Sequence, residues 1–142
     1  MENHNPTWPL GLFQGYGVEL EYMIVDRDTL DVRPICDQLL YHVSGNYDGE
    51  AHPEGDGGDA AWSNELVLHV VEFKTARPAP SLKGLDALFA AQVGRANDIL
   101  KQWNACLMPS AMHPWMNPAT ETRLWPHDCN EIYEAFNRIF DC

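Results

Sequence analysis

Two glutamates, Glu19 and Glu21, lie within residues 17–25, an otherwise apolar run that is typical of a β-strand. Side chains alternate between the faces of a strand, so residues i and i+2 point to the same side of the sheet. The two carboxylates therefore lie next to each other, where like charges repel, and glutamate is itself uncommon in strands. The pair predicts a positive group between the carboxylates, either a metal ion or a cationic substrate.

A second strand, predicted over residues 64–75, carries Glu65 and Glu72. Magnesium prefers oxygen ligands and is normally bound by one or two carboxylates together with substrate phosphates, so four glutamates on adjacent strands could hold two ions. The seven-residue spacing places Glu65 and Glu72 on opposite faces of a regular strand. Both reach one site only if a bulge intervenes or if Glu65 lies at the start of the strand.

A simpler interpretation of Glu19 and Glu21 is a solvent-facing sheet surface with ion pairs across the strands, which is common in antiparallel sheets. The basic partners would then be Arg27, Arg33 or Lys74. The pattern alone does not decide between this surface and a metal site. For Glu65 or Glu72 taken singly, the simpler interpretation is favoured.

Length and composition restrict the class of protein. The chain has 142 residues, of which 45% are hydrophobic, which is typical of one domain with a buried core. Its formal net charge of -12 argues against partners with anionic surfaces, namely nucleic acids and acidic membranes. There is no apolar run of about 18 residues and no signal-peptide pattern at the N-terminus, so we expect a cytoplasmic protein.

The remaining periodicities predict an α+β fold. Residues 17–25 and 31–36 are predicted to form a hairpin, 37–43 a short helix capped by Asp37, 82–104 a long helix, 106–112 a strand and 130–140 a final helix. Strands interrupted by one long helix favour a mainly antiparallel sheet with helices packed on one face. The other face is then free to carry the carboxylates.

Residues 44–61 are rich in glycine and lack apolar periodicity, which predicts a long mobile loop. Its acidic residues are Asp48, Glu50, Glu54, Asp56 and Asp59. This segment supports an alternative function, a non-catalytic module that binds calcium or a basic partner through residues 48–59. The residue spacing of an EF-hand loop is absent.

Four segments resemble, in order, motifs of the glutamate-cysteine ligase type 2, or carboxylate-amine ligase, family. They are Gly17-Val18-Glu19-Leu20-Glu21-Tyr22 with Ile24-Val25-Asp26, Asn64-Glu65-Leu66, Val71-Glu72-Phe73-Lys74-Thr75, and Pro109-Ser110-Ala111-Met112-His113-Pro114. The resemblance covers nearly the whole chain. It implies a sheet of the glutamine synthetase type, in which strand glutamates bind magnesium or manganese ions that in turn hold ATP phosphates.

Carried over by position, the resemblance implies that Glu19, Glu21, Glu65 and Glu72 are metal ligands. The implied reaction transfers a phosphoryl group from ATP to a small-molecule carboxylate, and an amine then attacks the acyl phosphate to form an amide. Phosphoryl transfer depends mainly on positioning and on neutralisation of phosphate charge, so no side-chain nucleophile is needed. A phosphohydrolase that uses the same carboxylates on water is a further alternative.

Three other side chains are candidates for contact with substrate or nucleotide. Lys74 and Arg77 follow Glu72 along the chain and could reach phosphate or carboxylate oxygens. Such residues are also ordinary surface cations. His113 follows a buried strand and could touch substrate, or it could simply form hydrogen bonds beside a rigid turn. Members of the family are longer than this chain, so we expect an N-terminal part of such a ligase, with self-association through open sheet edges as one possibility.

Overall fold

A computed structural model describes residues 9–55 and 58–140, which form one five-stranded antiparallel sheet and four α-helices. The strands are β1 (Glu19–Asp26), β2 (Glu50–Ala51), β3 (Ala60–Asn64), β4 (Val70–Thr75) and β5 (Ala105–Pro109). The helices are α1 (Cys36–Ser44), α2 (Leu85–Leu100), α3 (Pro118–Glu121) and α4 (Asn130–Phe140), and a 3-10 turn, Lys101–Trp103, follows α2. The predicted α+β class is confirmed.

Strand β1 connects the two halves of the sheet. The strand order is β2-β3-β4-β1-β5, and every pair of neighbours runs antiparallel. The first part of β1 pairs with β4, from Glu19 opposite Lys74 to Met23 opposite Val70. Its second part pairs with β5, so the predicted first strand is confirmed as a central element.

The two faces of the sheet differ because side chains alternate along β1. Leu20, Tyr22 and Ile24 point into the main core, where they meet buried residues of α1 and α2 such as Leu39 and Phe89. On the opposite face, Glu19 and Glu21 lie at one end of β1. Met23 and Val25 lie at the other end, in a second and smaller apolar cluster. The expectation of one helix-covered face and one carboxylate-bearing face is therefore correct.

The predicted hairpin forms only in part. The turn after β1 is present, and the Asp26 carboxylate accepts hydrogen bonds from the backbone N–H groups of Asp28 and Thr29. The strand predicted over residues 31–36 is wrong, because Val32 makes a single bridge to Val25 and α1 already begins at Cys36. Pro34 explains the interruption, since it has no backbone donor for a sheet.

The single strand predicted over residues 64–75 is also wrong. The chain reverses at residues 65–69 and forms two antiparallel strands, β3 and β4, with Ser63 opposite Glu72 and Asn64 opposite Val71. The reversal lies in a segment without glycine or proline, so the sequence carries no turn signal there. Glu65 lies in the connection between the strands, and the spacing of a regular strand does not apply to it.

The predicted loop over residues 44–61 contains more structure than expected. Its Glu50 and Ala51 form β2, which pairs with Ser63 and Trp62 of β3. Strand β3 itself begins at Ala60, inside the predicted loop. Of the acidic residues in this segment, Asp56 lies outside the described residues.

The helices agree better with prediction. Helix α4 occupies residues 130–140 as predicted. Helix α2 begins at Leu85, later than predicted, because Gly84 takes a left-handed conformation with φ of 91° in front of it. The N-cap of α1 is Ile35, so the prediction that Asp37 caps this helix is wrong. None of the helices in the described part of the chain has the length and apolar character needed to cross a membrane.

Candidate metal centre

A row of polar side chains crosses four strands of the sheet on the face opposite α1 and α2. The register pairs Glu50 with Ser63, Ser63 with Glu72, and Glu72 with Glu21. We call these four residues the glutamate row. The central contact places two glutamates directly opposite each other, an arrangement that destabilises an antiparallel pair unless something positive offsets it.

Glu65 joins this row from the connection between β3 and β4. Glu21, Glu65 and Glu72 each offer a carboxylate oxygen, and these three oxygens lie within 4.8 Å of one another. We call the three residues the glutamate triad. In the described residues, this is the one group of three or more histidine, cysteine, aspartate or glutamate side chains close enough to hold a metal ion.

The connection that carries Glu65 is held in place by the segment before α4. The backbone N–H of Leu68 donates to Arg123 O at 2.8 Å, and the N–H of Trp125 donates to Leu66 O at 2.9 Å. Trp125 is fully buried, so this contact anchors the connection to the core. The connection is therefore fixed at Leu66 and at Leu68, directly after Glu65.

The triad concentrates negative charge. Burial, together with the nearby charges of Glu21 and Glu72, raises the pKa of Glu65 to about 7. Glu72 is only 9% exposed, and its Oε1 accepts a hydrogen bond of 2.7 Å from the Ser63 hydroxyl. The protein thus keeps three carboxylates together in a place where one of them is driven towards its neutral form.

The raised pKa of Glu65 predicts that the metal-free protein loses stability as the pH rises. The folded state binds this proton more tightly than the unfolded chain, where the ordinary pKa is 4.5, so the contribution is complete below about pH 4.5 and is lost up to about pH 7. Because Glu65 is only partly buried and solvent screens its charge, we expect a loss on the order of 1 kcal/mol.

Urea denaturation in the presence of EDTA at pH 5 and pH 8 measures this loss. Glu65→Gln is the control, since it has the same shape and no titratable proton. The difference between the two pH values is expected to shrink in the variant. An equal pH dependence in the two proteins would show that Glu65 is not its source.

Lys74 is the cation nearest to the glutamate row in the described structure. Its Nζ lies 2.9 Å from Glu50 Oε2 and 3.7 Å from Glu72 Oε1. Burial lowers the pKa of Lys74, but the hydrogen bond to Glu50 and the charges of Glu50, Glu72 and Glu19 outweigh it, and the net direction is upward. The ammonium group of Lys74 therefore stays charged between Glu50 and Glu72.

The donor set of the triad suits a hard divalent cation. Magnesium binds carboxylate oxygens at about 2.1 Å, so ligands on opposite sides of one ion lie about 4.2 Å apart. The three oxygens, within 4.8 Å of one another, need only small side-chain rotations to reach that spacing. A cation there would also offset the repulsion from Glu21 and Glu72, which adds to the effect of burial on the pKa of Glu65. On chemistry and on geometry, the residues fit magnesium or manganese.

The structure brings together three of the four glutamates singled out in the sequence. Glu19 lies on the same face, opposite Lys74, but is not part of the triad. Arg77 lies past the end of β4, and its Nη2 pairs with Asp59 Oδ1 at 2.6 Å on the surface. Glu19 and Arg77 are therefore not members of the triad.

His113 is held by its own loop and by the turn after β1. Its Nδ1 accepts hydrogen bonds from the backbone N–H groups of Trp115 and Met116, at 3.3 and 3.1 Å. Its Nε2 then carries the proton and donates to Leu30 O at 2.7 Å. Both ring nitrogens are used in this way to join the two loops.

Two members of the glutamate row, Glu50 and Ser63, were not among the predicted metal ligands on the strands, and Glu50 was named only as an acidic residue of the alternative segment 48–59. Glu50 lies in a segment whose glycine content predicts a loop, and β2 is only two residues long. In β3, Trp62 is the one strong strand former among small and polar residues. Strands β2 and β3 are too short for an alternating apolar and polar pattern to identify Glu50 and Ser63 from the sequence.

Comparison with known proteins gives one informative relative. The chain is 30% identical over 125 residues to a protein of Archaeoglobus fulgidus that is described as uncharacterized. The match covers 88% of this chain but 32% of the relative, so the chain spans about a third of the length of the curated relative it matches. No protein-family model matches the chain, and no solved structure matches it significantly.

Proposed function

We propose that this chain is the metal-binding part of an ATP- and magnesium-dependent ligase that joins a carboxylate to an amine. The observation that carries the proposal is the glutamate triad, in which three separate segments of the chain bring Glu21, Glu65 and Glu72 within reach of one cation. The motif resemblance names the reaction, and the triad supports it by supplying the ligands such a reaction needs. A cytoplasmic location, where ATP and magnesium are plentiful, is part of the proposal.

Bound magnesium or manganese supplies positive charge that neutralises and orients ATP phosphates during phosphoryl transfer. The role of the protein is then to hold the cation in a fixed place. Glu72 is suited to this because Ser63 orients its carboxylate through a 2.7 Å hydrogen bond, and because β1 and β3 hold β4 on both sides. Glu21 is the most exposed member of the triad and marks the side from which a nucleotide would approach.

Lys74 and Arg77 are the proposed cationic contacts for phosphate or carboxylate oxygens. Lys74 lies 3.7 Å from Glu72, at the edge of the triad. Arg77 follows it on the chain, beyond the end of β4. The proposal does not include a substrate contact for His113, because the hydrogen bonds of its two ring nitrogens are made within the protein.

The alternative, a binding module that uses residues 48–59, is less well supported. Three of its carboxylates already have partners inside the chain. Glu50 binds Lys74, Asp59 binds Arg77, and Glu54 Oε1 accepts a hydrogen bond of 3.1 Å from the buried Gln92. These carboxylates are committed to local contacts, whereas the triad has more negative charge than its neighbours balance.

Calorimetric titration with a non-hydrolysable ATP analogue tests the proposal. We expect the analogue to bind in the presence of manganese and to bind at least about tenfold more weakly in EDTA, because the phosphates are held through the metal. Glu21→Gln is expected to remove the metal-dependent part, while the exposed Glu134→Gln on α4 leaves it unchanged. Analogue binding that is equal in wild type and Glu21→Gln would refute the proposal.

Ligase and phosphohydrolase chemistry are separated by a second measurement on a longer protein of the same kind as the relative. In a ligase, release of ADP requires an amine together with the carboxylate. In a phosphohydrolase, phosphate is released with water alone. Release that does not depend on an amine would replace the ligase proposal with the second reaction.

A further inference from the structure

A cavity of about 410 Å³ lies where the chain leaves β4 and enters α2. One wall is formed by residues that follow β4, in the segment 75–81, and the other by residues of the segment 83–88, which includes the first turn of α2. Cavities that bind small molecules have volumes of about 300–1,000 Å³ and are usually preformed. No member of the glutamate triad lines this cavity, so it is distinct from the candidate metal centre.

The wall that follows β4 is fixed by hydrogen bonds to the segment before β1. The backbone groups of Ala79 and Tyr16 bond to each other in both directions, at 2.8 and 2.9 Å. The Thr75 hydroxyl accepts a hydrogen bond of 3.3 Å from the backbone N–H of Val18. This wall is therefore held in place by the fold, and a ligand would not have to order it on binding.

The α2 wall combines apolar surface with open space. Leu85 and Leu88 lie three residues apart, so they are neighbours on one side of the helix, and both are half-buried. A Cβ atom placed on Gly84, just before them, would meet no other atom within 4 Å. Pro78 adds apolar surface from the opposite wall. The apolar part of a small ligand could therefore lie between the two walls.

The charge of the cavity differs from that of the protein. The whole chain has 9 basic residues against 21 acidic ones, whereas the charged residues that line the cavity are Arg77, Lys83 and Asp59. Arg77 and Asp59 form an ion pair at 2.6 Å, so their charges offset each other. Within the described residues, the Lys83 ammonium takes part in no ion pair. The positive end of the α2 dipole lies at the same place and adds to the charge of Lys83.

From these walls and this charge we infer that the cavity binds a small molecule with one carboxylate and a short apolar part. The carboxylate lies at Lys83 and the start of α2, and the apolar part lies between Leu88 and Pro78. A phosphate group fits less well, because it carries nearly two negative charges at neutral pH and has no use for the apolar walls. The inference goes beyond the proposed function and does not depend on it, since it requires no metal at the triad.

Titration of the ¹⁵N-labelled protein in EDTA, followed by two-dimensional NMR, tests the inference with simple probes. Hexanoate is expected to shift the amide signals of residues 75–88, and to bind at least about tenfold more tightly than acetate, because its hydrocarbon chain is removed from water. Hexan-1-ol has a similar chain without the charge and is expected to bind about fivefold more weakly than hexanoate. Inorganic phosphate is expected to bind more weakly than hexanoate.

Two substitutions separate the charge from the apolar walls. Lys83→Gln is expected to weaken hexanoate binding by about threefold and to leave hexan-1-ol binding unchanged. Leu88→Gln is expected to remove most of the advantage of hexanoate over acetate. Lys101→Gln, which removes an exposed lysine at the other end of α2, is the matched control and is expected to bind hexanoate like wild type.

Several results would overturn the inference. They are the absence of hexanoate-induced shifts at residues 75–88, equal hexanoate binding in wild type and Lys83→Gln, and tighter binding of phosphate than of hexanoate. The amide spectra of the variants show directly whether each one is folded. Because no metal is present, failure here is distinguishable from failure of the proposed function, which is measured by manganese-dependent binding of the ATP analogue.

Discussion

Glu72→Gln is expected to weaken manganese binding by at least about 100-fold while the protein remains folded. Glu72 is the buried member of the triad, and its loss removes a charged ligand from the centre of the site. Substitution of groups that only orient ligands already costs 10–100-fold in metal affinity, so loss of a ligand is expected to cost more. The glutamine can still accept the hydrogen bond from Ser63, which preserves the local structure.

The stability of Glu72→Gln is measured on the same samples. Because the substitution removes one of two like charges that face each other across β1 and β4, thermal unfolding of the metal-free protein is expected to occur at the same or a higher temperature. Glu134→Gln on the exposed surface of α4 is the matched control and is expected to bind manganese normally. If Glu72→Gln bound manganese as tightly as wild type, the triad would be a polar surface and not a metal site.

Trp62→Ala is expected to lower the free energy of unfolding by about 3–5 kcal/mol. Trp62 is fully buried on β3, and its ring centroid lies 5.1 Å from that of Phe73 on β4. Its indole N–H donates to Gln92 Oε1 at 3.0 Å, and Gln92 is itself 1% exposed. The substitution therefore creates a cavity and also leaves a buried acceptor without its donor.

Urea denaturation measures this effect, with Trp115→Ala as the control. Trp115 is 56% exposed, so its loss is expected to cost about 1 kcal/mol or less. Trp62 precedes Ser63 on β3, and Ser63 orients Glu72. A large loss of unfolding free energy in Trp62→Ala would therefore show that β3 is supported from the core side of the sheet. A cost for Trp62→Ala no larger than that for Trp115→Ala would contradict this packing.

The sequence was sufficient wherever one periodicity continued over a long segment. Strand β1 and helices α2 and α4 were located because their apolar residues repeat over eight or more positions. It was insufficient at residues 65–69, where the chain reverses direction without glycine or proline. There the turn is fixed by contacts with Arg123 and Trp125, more than fifty residues away, and no local pattern encodes them.

The candidate site shows the same division. Glu21 and Glu72 could be placed on one face from strand alternation once each strand was identified. Glu65 could not, because its position depends on the reversal between β3 and β4. Glu50 and Ser63 reach the site through a two-residue strand and its pairing with β3, which are products of tertiary structure. Local periodicity therefore predicted Glu21 and Glu72 and missed Glu50 and Ser63.

Crystals grown without metal and soaked in manganese give the most direct test of the central claim, that the glutamate triad holds one divalent cation. Diffraction data collected near the manganese absorption edge locate the ion through its anomalous signal. We predict one strong peak per chain, in contact with carboxylate oxygens of Glu21, Glu65 and Glu72. A peak within the acidic segment 48–59, or no peak at a manganese concentration that saturates binding in solution, would contradict the claim.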